Sequence, residues 1–149
     1  ARGSIMGSKT ISVTANMAEG WAITADIRDH KVVIDQPQAS GGTNEGPTPL
    51  EFFLFSLAGC IGTIGRIAAS QQKIELRGME VKVDADLNPM GLMGKATDDR
   101  VGFQQVRVEA AIDADLSDAE KKAFLDAICD RCPLHDNIKL ATEVVHELA

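Results

Sequence analysis

A run of 14 apolar or small residues, FFLFSLAGCIGTIG from Phe52 to Gly65, constrains the fold of this chain more than any other feature. It is too long for one buried strand, which takes roughly 4–8 residues, so it reads as a helix. The start is marked locally: Thr48 is an N-cap, Pro49 occupies the first turn, where its missing N–H is harmless, and Glu51 completes a capping box. The helix is expected to run to about Gln71. Arg66 interrupts the run short of the ~20 residues needed to cross a bilayer, so burial in protein is the expectation. Ser56, Ala58, Gly59, Gly62 and Gly65 let another backbone approach closely, yet each internal glycine costs about 1 kcal/mol relative to alanine. Tertiary packing has to offset that deficit.

The chain has 149 residues, enough for one domain with its own core. Residues 1–8 read as a cloning remnant or a disordered N-terminus, and 9–149 as a single domain. Ile11, Val13 and Ala15 alternate with polar residues, Glu19-Gly20 is a turn signal, and Trp21, Ile23, Ala25 and Ile27 alternate again before KVVID. This predicts an antiparallel meander of two or three strands, followed by an aperiodic loop from Gln36 to Pro47 able to wall a pocket. Beyond the long helix, Met79, Val81, Val83, Ala85 and Leu87 predict a strand with one wet face. It pairs as a hairpin with a strand through Val106, Val108, Ala110 and Ile112. Ser117 and Glu120 repeat the capping-box spacing and open a second helix ending near Asp130 or Arg131. Cys132-Pro133 restarts a short third helix, and TEVVHEL closes the chain as a strand. The order β-β-(β)-α-β-β-α-α-β is an α+β class with antiparallel sheet.

Lysine and arginine total 15 against 22 aspartate and glutamate, a net charge of -7, which argues against nucleic-acid binding. Cys60, Cys129 and Cys132 are too few and odd in number for a secreted disulfide scaffold, and fit a reducing, cytoplasmic location. On its residues alone Cys60, mid-helix and surrounded by apolar side chains, reads as a buried core thiol. Cys132 is different, because free N–H groups at a helix start and the helix dipole favour its thiolate, with Arg131 adjacent; reactive and inert readings both stay open there. Cys129 and Cys132 make a C-x-x-C pattern, but a thioredoxin-type motif follows a strand and opens a helix, whereas Cys129 ends one. Together with His135 they leave a closed zinc site one ligand short, so no metal is expected. His30, in a turn, and His146, in the final strand, read as surface or packing residues.

The segment PTPLEFFLFSLAGC, followed some 70 residues later by CDRCPLH, resembles the OsmC/Ohr superfamily of osmotically inducible and organic-hydroperoxide-resistance proteins. The resemblance runs from about Lys9 to the C-terminus, and the element order agrees. It implies an OsmC-like fold in which antiparallel sheets wrap long central helices in an intertwined homodimer, with active sites at the subunit interface. It also implies chemistry at two thiols. Cys60 attacks a peroxide and becomes a sulfenic acid, Cys132 condenses with it to a disulfide, and an external dithiol reductant resets the pair without a bound cofactor or metal. The implied ligand is an organic hydroperoxide or another small apolar molecule, with no nucleic-acid or membrane partner. Phe52, Phe53, Phe55 and Leu57 either line its pocket or are plain core.

The chain departs from that pattern at the helix start. Ohr-type and typical OsmC proteins carry a glutamate directly after the proline, where it works with an arginine on the attacking cysteine. Here Leu50 follows Pro49 and Glu51 comes one position later, which turns the carboxylate by about 100° around the helix. Pro-Leu-Glu with Ala-Gly-Cys looks more like the less characterised redox-protein group of the superfamily. Arg28 is the first candidate for the activating arginine and Arg66 the second, with Glu51 as the candidate carboxylate. His135 stands where relatives often have small hydroxyl residues, and either tunes the second thiol or fills space. Two expectations result: a thiol-dependent hydroperoxide reductase, or a dimeric stress-related or small-ligand-binding protein with weak or no peroxidase turnover.

Overall fold

The structure, a computed structural model, describes residues 7–149, so the first six residues of the expected N-terminal remnant lie outside the described residues. The chain folds as two compact units, one up to Phe52 and one from Phe53 on.

The first unit is a three-stranded antiparallel meander of β1 (Ala15–Met17), β2 (Ile23–Ile27) and β3 (His30–Ile34), in that spatial order. The register pairs Ala15 with Ala25 and Ile23 with Ile34. The first strand is shorter than its alternation suggested, and Ile11 precedes it, exposed. By the register Ile11 would stand opposite Asp29, which is already in the β2–β3 turn, so it has no ladder to join. Arg28 opens that turn with a left-handed φ of 56°, a conformation uncommon for a residue with a side chain. His30 is the exposed first residue of β3, paired with Ile27, rather than a turn residue.

Loop 36–47 is irregular as expected, apart from a 3-10 turn at Gln38–Ser40, and it is anchored by Asp35. This carboxylate is 1% exposed and accepts the N–H groups of Gln36 at 2.7 Å, Glu45 at 3.0 Å and Thr43 at 3.3 Å, together with the Thr43 hydroxyl at 2.9 Å. The amides of Glu45 and Gln36, working against burial and aided by Thr43, hold the carboxyl below its ordinary range. The loop returns so close to β3 that a Cβ on Gly46 would lie 2.2 Å from the Val33 carbonyl oxygen, which only glycine avoids.

Helix α1 (Pro49–Gln72) starts at the end of the first unit and continues through the second. Its capping box forms as the sequence predicts: the Thr48 N–H donates to Glu51 Oε1 at 2.8 Å and the Glu51 N–H donates to Thr48 Oγ1 at 3.2 Å. At 24 residues, with a mean hydropathy of 1.7 over its most apolar 18, α1 is long and apolar enough by those measures to cross a membrane. That corrects the expectation drawn from the 14-residue run, because the alanines beyond Arg66 extend the apolar character. In the second unit Leu57, Ile61, Gly65, Ala68 and Ala69 of α1 form a buried stripe within a core that includes Ile112, Phe124, Ile128 and Cys132. A Cβ on Gly65 would meet Met79 Sδ at 2.8 Å and Ile128 Cδ1 at 3.4 Å, so this glycine makes room for close packing. Burying a large aliphatic side chain stabilises by about 1.5–3 kcal/mol, which outweighs the propensity cost of one glycine.

Strands β4 (Gly78–Asp86) and β5 (Gln105–Asp113) form the expected antiparallel hairpin, with Gly78 opposite Asp113 and Asp86 opposite Gln105. Ser117 and Glu120 form the second capping box and open α2 (Asp118–Arg131); Pro133 opens α3 (Pro133–Lys139). The fold is α+β with two antiparallel sheets, as the pattern indicates. The predicted closing strand is absent: TEVVHEL has no regular structure, and Val144, Val145 and Leu148 are exposed. Alternation alone does not make a strand, and no described backbone edge pairs with this segment. His146 consequently lies on an exposed tail.

Candidate thiol site

The site is built on a joint between two helices. Cys132 leaves helical geometry (φ -81°, ψ 115°), ends α2 by donating its N–H to the Cys129 carbonyl at 3.2 Å, and caps α3 with its sulfur, which accepts the His135 N–H at 3.4 Å. Pro133 follows at the first helical position, where a missing N–H does no harm. Cys132 is 1% exposed, while Cys60, in the middle of α1, is half-buried. The Cys132 side chain and the backbone N–H of Leu134 are close enough to Cys60 to act on its ionisation. Two first-turn amides of α3 thus bear on the thiols, that of His135 by donating to Cys132 and that of Leu134 by favouring the charged form of Cys60.

Burial pushes the Cys60 thiol above its ordinary pKa, the neighbouring Cys132 adds to this, and the Leu134 amide opposes it. Withdrawal from water thus favours the neutral form of Cys60. Cys129, half-buried on the last turn of α2, is raised by burial, then by the neighbouring Cys132 and the carboxylates of Asp126 and Asp130, with Lys122 opposing.

Of the arginines considered from sequence, Arg66 donates to the Leu76 carbonyl at 2.5 Å and Arg131 donates to Gln71 Oε1 at 3.0 Å; neither guanidinium is spent on a thiol. Arg28 sits exposed in the first unit at the β2–β3 turn, and Glu51 is engaged in its capping box. His135 meets Cys132 through its backbone amide.

A cavity of about 470 Å³ opens among residues of α1, β5 and α3. Phe53 and Leu57 of α1, Val106 and Val108 of β5 and Ile138 of α3 give it apolar walls, and Arg100, Gln104, Gln105, His135, Asn137 and Lys139 make the rest of its lining largely polar. The rings of Phe53 and Phe103 pack at 5.9 Å between centroids, tilted by 41°. Neither thiol lines the cavity, but α1 and α3 carry both the cavity wall and the thiols, with Leu57 only three residues before Cys60. Of the four candidate pocket residues, Phe53 and Leu57 line it; Phe52 does not, and Phe55 is 71% exposed. Arg100, Phe103 and Gln104, which also line it, went unseen in sequence because the stretch after β4 has no period to read.

These features define an α+β protein with two neighbouring thiols and a cavity of small-molecule size built on shared helices. The chain belongs to the OsmC-like protein family, whose profile matches residues 42–147, and so to the superfamily of osmotically inducible and organic-hydroperoxide-resistance proteins. It is 26% identical over 133 residues to a hydroperoxide reductase of Mycoplasma pneumoniae, covering 88% of each chain. The crystal structure of an OsmC-like protein from the same organism is similar at a TM-score of 0.76 and 23% identity, with 89% of each chain covered. An organic hydroperoxide resistance protein from Vibrio cholerae, solved with captopril bound in one of its active sites, matches at a TM-score of 0.65 and 18% identity, covering 91% of this chain and 89% of that one.

Proposed function

We propose that this protein is a thiol-dependent reductase of organic hydroperoxides that uses Cys60 and Cys132, acts as a homodimer in the cytoplasm, and is reset by an external dithiol. The observation that best supports this is the proximity of the two thiols, one half-buried and one fully buried, on elements that also contribute apolar walls to a cavity. The hydroperoxide reductase relative points the same way.

In this reading the apolar walls bind the organic part of the hydroperoxide, and the Cys60 sulfur attacks the terminal oxygen. An S–O bond forms, the O–O bond breaks, and the departing alkoxide leaves as an alcohol with the proton lost from the Cys60 thiol. The Cys132 thiol then attacks the sulfenic sulfur; an S–S bond forms and water departs. A dithiol reduces that disulfide to two thiols and is itself oxidised to a disulfide. Because the Cys60 thiol is raised, attack requires a cation or a base to draw off its proton. Arg28 is the candidate for the cation, Glu51 for its companion carboxylate, and Arg66 is disfavoured by its bond to Leu76. The homodimer is supported by the outer side of α1, where Phe55 and Ile67 are exposed and Gly59 and Gly62 have open space above them.

A second reading, a family member that binds a small ligand with weak or no peroxidase turnover, is favoured by the engagement of Glu51 in helix capping and by Leu50 at the position following Pro49. Thiol titration before and after one equivalent of cumene hydroperoxide separates the two. The reductase loses two thiols and yields a Cys60–Cys132 peptide on mapping. Survival of all three free thiols overturns it in favour of the second reading.

A further inference from the structure

The C-x-x-C spacing of Cys129 and Cys132 has no part in the two-thiol cycle, yet Cys129 packs against the same core cluster as Cys60 and Cys132. The arrangement has an order. Cys132 neighbours Cys60 on one side, and on the other it stands three residues after Cys129, whose carbonyl accepts its N–H at 3.2 Å. Residues three apart on a helix have Cβ atoms about 5–6 Å apart, and a disulfide needs roughly 3.5–4.5 Å, so only a small adjustment separates Cys129 from Cys132. Cys132 is the non-helical residue between α2 and α3, which is where torsions can supply that adjustment. The central sulfur is also the least accessible, at 1% exposure, so a reductant in solution has no straight approach to it.

We propose that Cys129 is a third working thiol, which accepts the disulfide from Cys60 by exchange at Cys132 and presents it to the reductant. The inference rests on the hydroperoxide-reductase reading for the formation of the first disulfide. Cys129, as thiolate, attacks Cys132 Sγ; the Cys129–Cys132 bond forms as the Cys60–Cys132 bond breaks, and Cys60 leaves as a thiolate that takes up the proton Cys129 gave away. The number of disulfides is unchanged and no further oxidant is consumed. Cys60 is thereby free for the next hydroperoxide while the dithiol reductant works at the last turn of α2, among the exposed Asp126, Asp130 and Lys122. Peroxide entry and reductant approach are thus assigned to different surfaces of the second unit.

The test uses the full chain, reduced, mixed with one equivalent of cumene hydroperoxide, acid-quenched at intervals, alkylated and peptide-mapped. A Cys60–Cys132 link at early times, replaced by a Cys129–Cys132 link with Cys60 alkylated, is the expected result. The Cys129→Ser variant should stop at Cys60–Cys132 and turn over severalfold more slowly with a dithiol reductant. A wild-type product that stays Cys60–Cys132 throughout, with Cys129→Ser turning over at the wild-type rate, overturns the relay and leaves the reductase reading intact. A parallel arm removes the dependence on peroxide chemistry: diamide oxidation of Cys60→Ser should give an intrachain Cys129–Cys132 bond, and failure to form it overturns the relay whatever hydroperoxide does.

Discussion

Asp35 in the first unit and Cys60 in the second present the same physical problem with opposite outcomes. Both are ionisable groups withdrawn from water. Asp35 is surrounded by three backbone amides and a hydroxyl, so its charged form is favoured and the carboxylate becomes a fastener for loop 36–47. Cys60 has only the Leu134 amide favouring its charge, while burial and the neighbouring Cys132 oppose it, so its neutral form is favoured and the sulfur remains uncommitted. The difference teaches that the number of donors decides whether a withdrawn group holds structure or waits for a reaction.

The comparison can be broken most decisively at Cys60. Cys60→Ser should bring consumption of cumene hydroperoxide, followed with a dithiol reductant, down to the uncatalysed background, with little change in thermal unfolding. Retention of more than about a tenth of the wild-type rate would assign the attack to another thiol. The counterpart in the first unit is Gly46→Ala, which forces a Cβ onto the Val33 carbonyl and should destabilise that unit by about 1–3 kcal/mol in urea titration without changing Cys60 alkylation. Asp35→Asn should open loop 36–47 to limited proteolysis, because a neutral amide cannot accept all four donors.

The two groups should also respond to pH from opposite sides. The pKa of Asp35 is depressed on folding, so its contribution is complete above the unfolded value near 3.9 and is lost as pH falls through the folded value; hydrogen exchange at Thr43 and Glu45 should accelerate on the acid side. The pKa of Cys60 is raised on folding, so its contribution is complete below the unfolded value near 8.5 and is lost as pH rises through the folded one. Iodoacetamide labelling of Cys60 should accordingly reach its half-maximal rate above about pH 8.5, and a midpoint below that would mean that a cation stabilises the thiolate. The smallest effect is expected from Ser117→Ala, which removes a cap from α2 and should cost about 1 kcal/mol while leaving both pH responses in place.

What the sequence displayed was mostly what neighbouring residues decide among themselves. Thr48 with Glu51 and Ser117 with Glu120 announce their helices because both partners of each capping box lie within one turn. The β4–β5 hairpin was readable from alternation on both strands. TEVVHEL carries similar alternation and is no strand, since the missing ingredient, a partner edge, is not written in the segment itself. The same limit hid much of the site. Leu134 acts on Cys60 through its backbone, which every residue type shares, and Phe103 reaches the cavity from a stretch without period. Asp35 looked like the tail of a strand, because its partners arrive from as far as Glu45.

The chain has one tryptophan and no tyrosine, and Trp21 packs where a Cβ on Gly41 would lie 3.1 Å from its Nε1. Intrinsic fluorescence excited at the red edge of absorption therefore originates entirely from the first unit, beside loop 36–47. The thiol unit is optically dark. A fluorescence melting curve will describe the meander and its loop, and events at Cys60, Cys132 or the cavity will need circular dichroism, exchange or thiol chemistry to be seen at all.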